Sequence, residues 1–131
     1  MNDLDRARIE ELGKEIVHSA VQVHRALGPG LLESVYQTCL GYELEQSGLV
    51  VESEVKIPLR YKELSIDAGY RVDMLVERAI VIENKAVERL QRVHTAQILT
   101  YLELSGCRLG FLLNWHVPRM KHGIRRFVMR L

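Results

Sequence analysis

The sequence predicts an α/β fold: a mixed central β-sheet with flanking helices. Three observations carry this. Apolar residues recur at three- and four-residue steps over residues 4–27, 30–47 and 88–105, the period of helices that bury one stripe. Between the second and third of these, residues 50–86 are rich in β-branched side chains and either alternate or run apolar, as strands do. A further apolar run, 107–115 (CRLGFLLNW), follows the third helix. A right-handed crossover would lay it parallel to a strand that precedes that helix. At 131 residues the whole sequence is expected to form one domain, 1–131.

The first helix, 4–27, carries Ile9, Leu12, Ile16, Ala20, Val23 and Leu27 on its stripe. Asp3 or Asp5 can cap its start, and Gly28-Pro29 ends it. His18 and His24 are six apart and share no face, so they do not form a ligand pair. The second helix, 30–47, is expected to bury Leu32, Val35, Tyr36, Cys39, Leu40 and Leu44 and to end at Gly48. Glu33 and Tyr36 are neighbours on its surface. Residues 50–61 read as a strand with Pro58 near an edge or end, Lys62-Glu63 as a turn, and 64–77 as a returning strand with Gly69 a bulge. A tight connection at Glu77-Arg78 leads into a buried strand, 79–86, completing an antiparallel meander of three strands. The third helix is expected to line one side with Leu90, Val93, Ala96, Gln97, Thr100, Tyr101 and Leu104. Residues 123–131 read as a short edge strand.

Composition bounds the function. Apolar residues make up 47% and charged residues 27%, which suits a soluble protein with a real core. No run approaches the ~18 apolar residues of a membrane span, so no membrane partner is expected. The first fifteen residues are polar and charged, unlike a secretory signal, and the expected location is cytoplasmic. Cys39 and Cys107 are too few for a disulfide framework, a Cys-ligated zinc site or an iron–sulfur cluster. There is no Gly-rich phosphate loop and no serine or cysteine in a nucleophile context. Charge is unevenly spread. Residues 1–54 hold 4 basic and 10 acidic side chains, whereas 55–131 hold 14 basic and 7 acidic. The C-terminal cations Arg119, Lys121, Arg125, Arg126 and Arg130 have no acid among them. This either makes a polyanion-binding face, with Arg125 and Arg126 as its candidate phosphate contacts, or lets a basic half complement an acidic one.

The candidate chemistry lies in 70–87 (YRVDMLVERAIVIENKAV). Side chains alternate along a strand, so Arg71, Asp73 and Leu75 should share one face of the first segment. Val81, Glu83 and Lys85 should share one face of the second, with Asn84 on the other. Two carboxylates and an ammonium then converge at the end of apolar strands. Carboxylate oxygens are hard ligands suited to Mg²⁺ or Mn²⁺, and an ammonium can offset charge developing on a phosphate. The alternative is a structural ion pair between Lys85 and Glu83, with Asp73 facing solvent. For Glu33 the alternative is an acid in the first turn of a helix, favoured by the helix dipole.

The sequence resembles the GxxExxY proteins, a family of the PD-(D/E)XK nuclease-like superfamily. The namesake motif stands as Gly30-Leu31-Leu32-Glu33-Ser34-Val35-Tyr36. The likeness continues through VHRALGPGLLESVY, VDMLVE, VIENKAV, HTAQILTYL and RLGFLLNW, from about residue 16 to about residue 126. It implies a restriction-endonuclease-like αβββαβ core preceded by an N-terminal helix, and a metal-dependent nuclease, or a non-cleaving nucleic-acid-binding or accessory protein that keeps the fold. In the resemblance Asp73, Glu83 and the carbonyl of Asn84 hold Mg²⁺ or Mn²⁺, and Glu33 completes the shell or holds a water. Lys85 orients the attacking water, while Gln97 and Tyr101 position the lysine or contact a phosphate. Tyr36 is placed in the same network, against the nucleic acid. With no separate reading domain, specificity is expected to be weak or borrowed from a homodimer or a partner protein.

Overall fold

The computed structural model describes residues 4–67 and 69–131. The chain runs α1 (Arg6–Leu27), α2 (Glu33–Gln46), β1 (Val51–Lys56), β2 (Leu59–Tyr61), β3 (Leu64–Ile66), β4 (Arg71–Val76), β5 (Ile80–Lys85), α3 (Arg92–Ser105), β6 (Leu109–Asn114) and β7 (Ile124–Val128). A single 3₁₀ turn, Met120–His122, precedes β7. The main sheet has the order β1-β4-β5-β6-β7. Its pairs are antiparallel except β5–β6, which the α3 crossover makes parallel. The expected mixed α/β sheet, its flanking helices, the N-terminal helix and the edge strand at the C-terminus are all present. Among the described residues no helix is long and apolar enough to cross a membrane.

Local chemistry sets the element ends. Asp5 accepts the backbone N–H of Arg8 at 2.8 Å and caps α1; Asp3 lies outside the described residues. Gly28, at φ 68°, closes the helix by donating to the His24 carbonyl. Glu77 and Arg78 both take positive φ, and Ala79 N–H closes on the Val76 carbonyl. Glu77 and Arg78, both left-handed and spanned by that bond, form a type I′ turn within the three-residue connection 77–79 that pairs Val76 with Ile80.

Two core layers sandwich the sheet. One packs α1 and α2 against Met74, Val76, Ile80, Ile82, Leu109, Phe111 and Leu113. The other packs α3 against Val72, Leu75, Val81 and Leu112 through Ile98, Tyr101 and Leu102.

Three local expectations change. The long strands read over 50–61 and 64–77 each break. Pro58, which has no N–H to donate, interrupts the first, and β2 and β3 form a separate hairpin outside the main sheet. The buried stripe of α3 is Ile98, Tyr101, Leu102 and Ser105, so Val93, Ala96, Gln97 and Thr100 face outward. The helix starts at Arg92, and its docking on Val72, Leu75, Val81 and Leu112 of the sheet selects the Ile98–Tyr101–Leu102 stripe for burial. In α2, Leu32 and Val35 are exposed, because Leu32 is the N-cap residue and lies outside the helical turns.

Candidate metal centre

The β4–β5 ladder pairs Val76 with Ile80, Leu75 with Val81 and Met74 with Ile82, and then stops. One step further on stand Asp73 and Glu83. Here side chains take over from the backbone. Asp73 N–H donates to Glu83 Oε2 at 2.6 Å, and Asn84 N–H donates to Asp73 Oδ2 at 2.8 Å. Each carboxylate thus crosses to the neighbouring strand and holds the opened ladder. One oxygen of each, Asp73 Oδ1 and Glu83 Oε1, accepts no hydrogen bond from the described residues.

The strict alternation expected for β4 fails at this point. Val72 and Leu75, three apart, both pack in the α3 layer, whereas Met74 and Val76 pack beneath α1 and α2. The partner strand breaks in the same place: Val51 joins the α1/α2 layer and Val55 the α3 layer. Glu54, opposite Asp73, takes φ 54°, and the pair drops out of an otherwise continuous register. A left-handed glutamate within a strand is a strained conformation, of a kind that gathers at functional sites. Asp73 therefore lines a cleft of about 570 Å³ with Glu33, Gln37 and Glu54, instead of following the face of Leu75.

Glu83 is 3% exposed and Asp73 is half-buried. Burial raises the Asp73 pKa from its ordinary 3.8 to about 6; the Asn84 N–H and Lys85 oppose the rise, and Glu54 and Glu33 add to it. Burial and then the Asp73 charge raise Glu83 from 4.5 to about 8, against the Asp73 N–H and Lys85. Lys85 is felt by both, yet among the described residues it forms no ion pair with either. The Lys85–Glu83 ion pair that served as the bland alternative is absent. Tyr101, buried on α3, lies within the field of Glu83 and Asp73, and its pKa is raised by burial and then by their charges. Gln97, one turn earlier, is exposed.

Asn84 turns to the other face, as alternation requires, and is fully buried there. Its Nδ2 donates to Gln37 Oε1 and Met74 Sδ, and its Oδ1 accepts Trp115 Nε1–H at 2.9 Å. Gln37 Nε2 in turn donates to Glu54 Oε1 and to the Asp73 carbonyl. One α2 side chain thereby ties β1, β4 and β5 together around the carboxylates. Beyond Lys85, Asn114 clamps the chain from β6: its Oδ1 accepts Val87 N–H and its Nδ2 donates to the Val87 carbonyl. Sequence reading did not single out Gln37, Glu54, Asn114 or Trp115. For Gln37 a signal existed, since it stands four residues after Glu33 and so on the same helix face.

The other expected residues separate. Glu33 is exposed at the first position of α2, on the rim of the cleft. Tyr36 is wholly buried, stacked on Trp115 with ring centroids 4.9 Å apart. Its hydroxyl donates to the Gly28 carbonyl and accepts Leu31 N–H. It closes the 28–31 loop and presents nothing to a nucleic acid, a correction to its expected role. Adjacent strand residues face opposite ways, so Arg125 and Arg126 cannot act on one surface. Arg126 turns to α1 and pairs with Glu10. Arg125 is exposed and shares a row with Glu83 across β6: Glu83 pairs with Leu112, and Leu112 with Arg125.

The donor set is hard oxygen. Two carboxylates, each with a free oxygen, and the backbone at Asn84 suit Mg²⁺ or Mn²⁺ better than softer ions. Among the described residues no three Asp, Glu, His or Cys side chains gather closely enough to enclose an ion. Comparison with curated proteins and with solved structures gives no match. A family model described as the PD-(D/E)XK nuclease superfamily matches residues 10–127, a span that contains both carboxylates, Lys85, α2 and α3. Nearly the whole chain lies within that match, and the chain therefore belongs to the PD-(D/E)XK nuclease superfamily.

Proposed function

We propose that this protein is a Mg²⁺- or Mn²⁺-dependent nuclease that hydrolyses phosphodiester bonds, and that within its superfamily it is one of the GxxExxY proteins. One observation supports this above the others. Two carboxylates are pressed together at an opened strand end, both with raised pKa, and their nearest cation pairs with neither. Such a pair gains most from a cation that arrives with the substrate. Asp73, Glu83 and the Asn84 carbonyl would hold the ion, with Glu33 reaching in from the cleft rim. The ion, when bound, acts as a Lewis acid on the phosphate and lowers the pKa of the attacking water.

The chain's own groups do the rest. Lys85 stands beside the carboxylates on the substrate side and offsets the charge that builds on the phosphate oxygens. Gln37 and Asn84 hold both strands in register, so the carboxylates keep their spacing as charge changes. Tyr101 closes the α3 side, and its hydroxyl, kept protonated by the raised pKa, donates a hydrogen bond to a phosphate oxygen. Gln97 stands at the outer edge of the same helix, where a phosphate would pass. A homodimer or partner protein would supply sequence specificity.

The test is a cleavage assay with Mn²⁺ or Mg²⁺ on single- and double-stranded DNA and RNA, comparing wild type with Lys85→Ala. Cleavage that needs the metal and collapses in the variant supports the reading. A second reading is favoured by the lack of a three-ligand group among the described residues. In it the protein binds nucleic acid without cleaving it, and the assay shows binding and no product.

A further inference from the structure

The C-terminal cations divide once the chain is folded. Arg126 is neutralised by Glu10 and Arg130 by Glu103. Arg119 and Lys121 take no part in an ion pair among the described residues, and Arg25 at the end of α1 likewise takes none. These three rim one cleft of about 380 Å³, whose floor is Val21, Pro118 and Met120 and whose lining contains no acid. Three cations held together without a counter-charge are a place for an anion.

The cleft is built rather than incidental. His24 is buried, and its Nε2–H donates to the Val117 carbonyl at 2.8 Å, pinning the loop against α1. Its ring lies over Trp115 at 6.5 Å. The loop's two ends are tied by Asn114 N–H to the Gly123 carbonyl at 2.8 Å. Gly123 is required for that closure, because a Cβ there would lie 2.1 Å from the Asn114 oxygen. Arg119 and Lys121 are therefore exposed side chains on a fixed backbone.

The loop that forms the cleft is tied to β5 at its start. Trp115 N–H donates to the Lys85 carbonyl at 2.9 Å, so the loop leaves the sheet at the end where Lys85 stands. The four residues from Trp115 to Arg119 reach at most about 14 Å. The indole of Trp115 also bonds Asn84, which stands between Glu83 and Lys85.

We propose that the cleft rimmed by Arg25, Arg119 and Lys121 binds the phosphodiester backbone of a nucleic-acid strand, a few nucleotides from the phosphate held near Lys85. The choice of nucleic acid as ligand rests on the nuclease reading, whereas the anion site rests on the cations alone. The test is fluorescence anisotropy with fluorescein-labelled 20-nucleotide DNA and RNA strands in EDTA, across a salt series. Wild type, Arg119→Ala/Lys121→Ala, Arg25→Ala and Arg126→Ala are compared, with thermal melts to verify folding. Removing one phosphate-binding cation should lower the salt slope on a single strand by about 0.7, so the double variant should fall by about 1.4 and Arg25→Ala by about 0.7. Arg126→Ala, already paired with Glu10, should change little.

An unchanged slope in the double variant overturns the proposal, as does an equal fall in Arg126→Ala or wild type that binds neither strand. Labelled polyglutamate is titrated in parallel, and a double variant that loses polyglutamate binding while its oligonucleotide binding is intact overturns it in favour of an acidic protein. Cleavage is scored separately with Mn²⁺. Binding through Arg119 and Lys121 without cleavage upholds the cleft and sinks the nuclease reading; cleavage with an unchanged slope does the reverse.

Discussion

Binding of a divalent cation should be strongly coupled to protons, and the structure sets the size of the effect. With Asp73 at about 6 and Glu83 at about 8, at pH 7 the aspartate is mostly ionised and the glutamate mostly protonated. An ion that needs both carboxylates charged then releases about one proton at pH 7, about two at pH 5 and nearly none at pH 9. Affinity should rise about 100-fold between pH 6 and pH 8, close to 2.7 kcal/mol, most of it from Glu83. The assay is calorimetric titration of Mn²⁺ in two buffers of different ionisation heat, which counts the protons directly. Glu83→Gln should bind Mn²⁺ more weakly and remove the proton released at pH 7. The same shifts bear on stability in EDTA, and the sign is fixed. Both folded-state values lie above those of the unfolded chain, so the native state holds more protons between them. Stability should therefore be fully present below about pH 4 and be lost as pH rises to about 8. Metal affinity that stays flat from pH 6 to pH 8, with no proton released at pH 7, would refute the reasoning and take the carboxylate pair out of the metal site.

Other perturbations separate the roles of neighbouring residues. Lys85→Ala should leave Mn²⁺ affinity unchanged or slightly raised, while the cleavage rate falls on the order of 10²–10³-fold, read in a single-turnover assay. Gln37→Leu keeps the bulk of the α2 side chain but removes the bonds to Glu54, Asp73 and Asn84. It should weaken Mn²⁺ about tenfold, as removing a group that orients a ligand does. Asn84→Ala leaves the buried Trp115 indole N–H without its acceptor and should cost about 1–3 kcal/mol in urea unfolding. An unaltered urea midpoint would show that Asn84 carries none of the packing between α2 and β6.

The order of elements was legible because each signal in it is local. Apolar period, a cap at Asp5, a stop at Gly28-Pro29 and an αL glycine at 106 are written within a few residues of where they act. That β6 lies parallel to a strand preceding α3 followed from the crossover, whereas the identity of that strand, β5, did not. The register of α3 was not legible. A stripe of Val93, Ala96, Thr100 and Leu104 fits the helical period as well as Ile98, Tyr101 and Leu102 does. Only the sheet beneath decides which one is buried.

The site shows the same division more sharply. That Glu83 and Lys85 share a face and Asn84 opposes them needs nothing beyond strand alternation, and Asn84 is buried on the far side. Alternation gave the wrong course for Asp73, because it assumes a regular partner strand. The break is shared with β1, where Glu54 takes a left-handed conformation that no local pattern announces. Gln37 spans Glu54, Asp73 and Asn84, and these three stand 17, 36 and 47 residues away from it. A hydrogen-bond hub of that reach has no sequence period. The charge of the C-terminal segment belongs to the same class. Five cations without an acid among them left open a basic face or pairing with the acidic half; alternation on β7 turns Arg126 toward Glu10, while among the described residues Arg119 and Lys121 form no ion pair. Distance along the chain assigned the charge to a segment; folding divided that segment between ion pairs within the protein and an open cleft between α1 and the loop that follows β6.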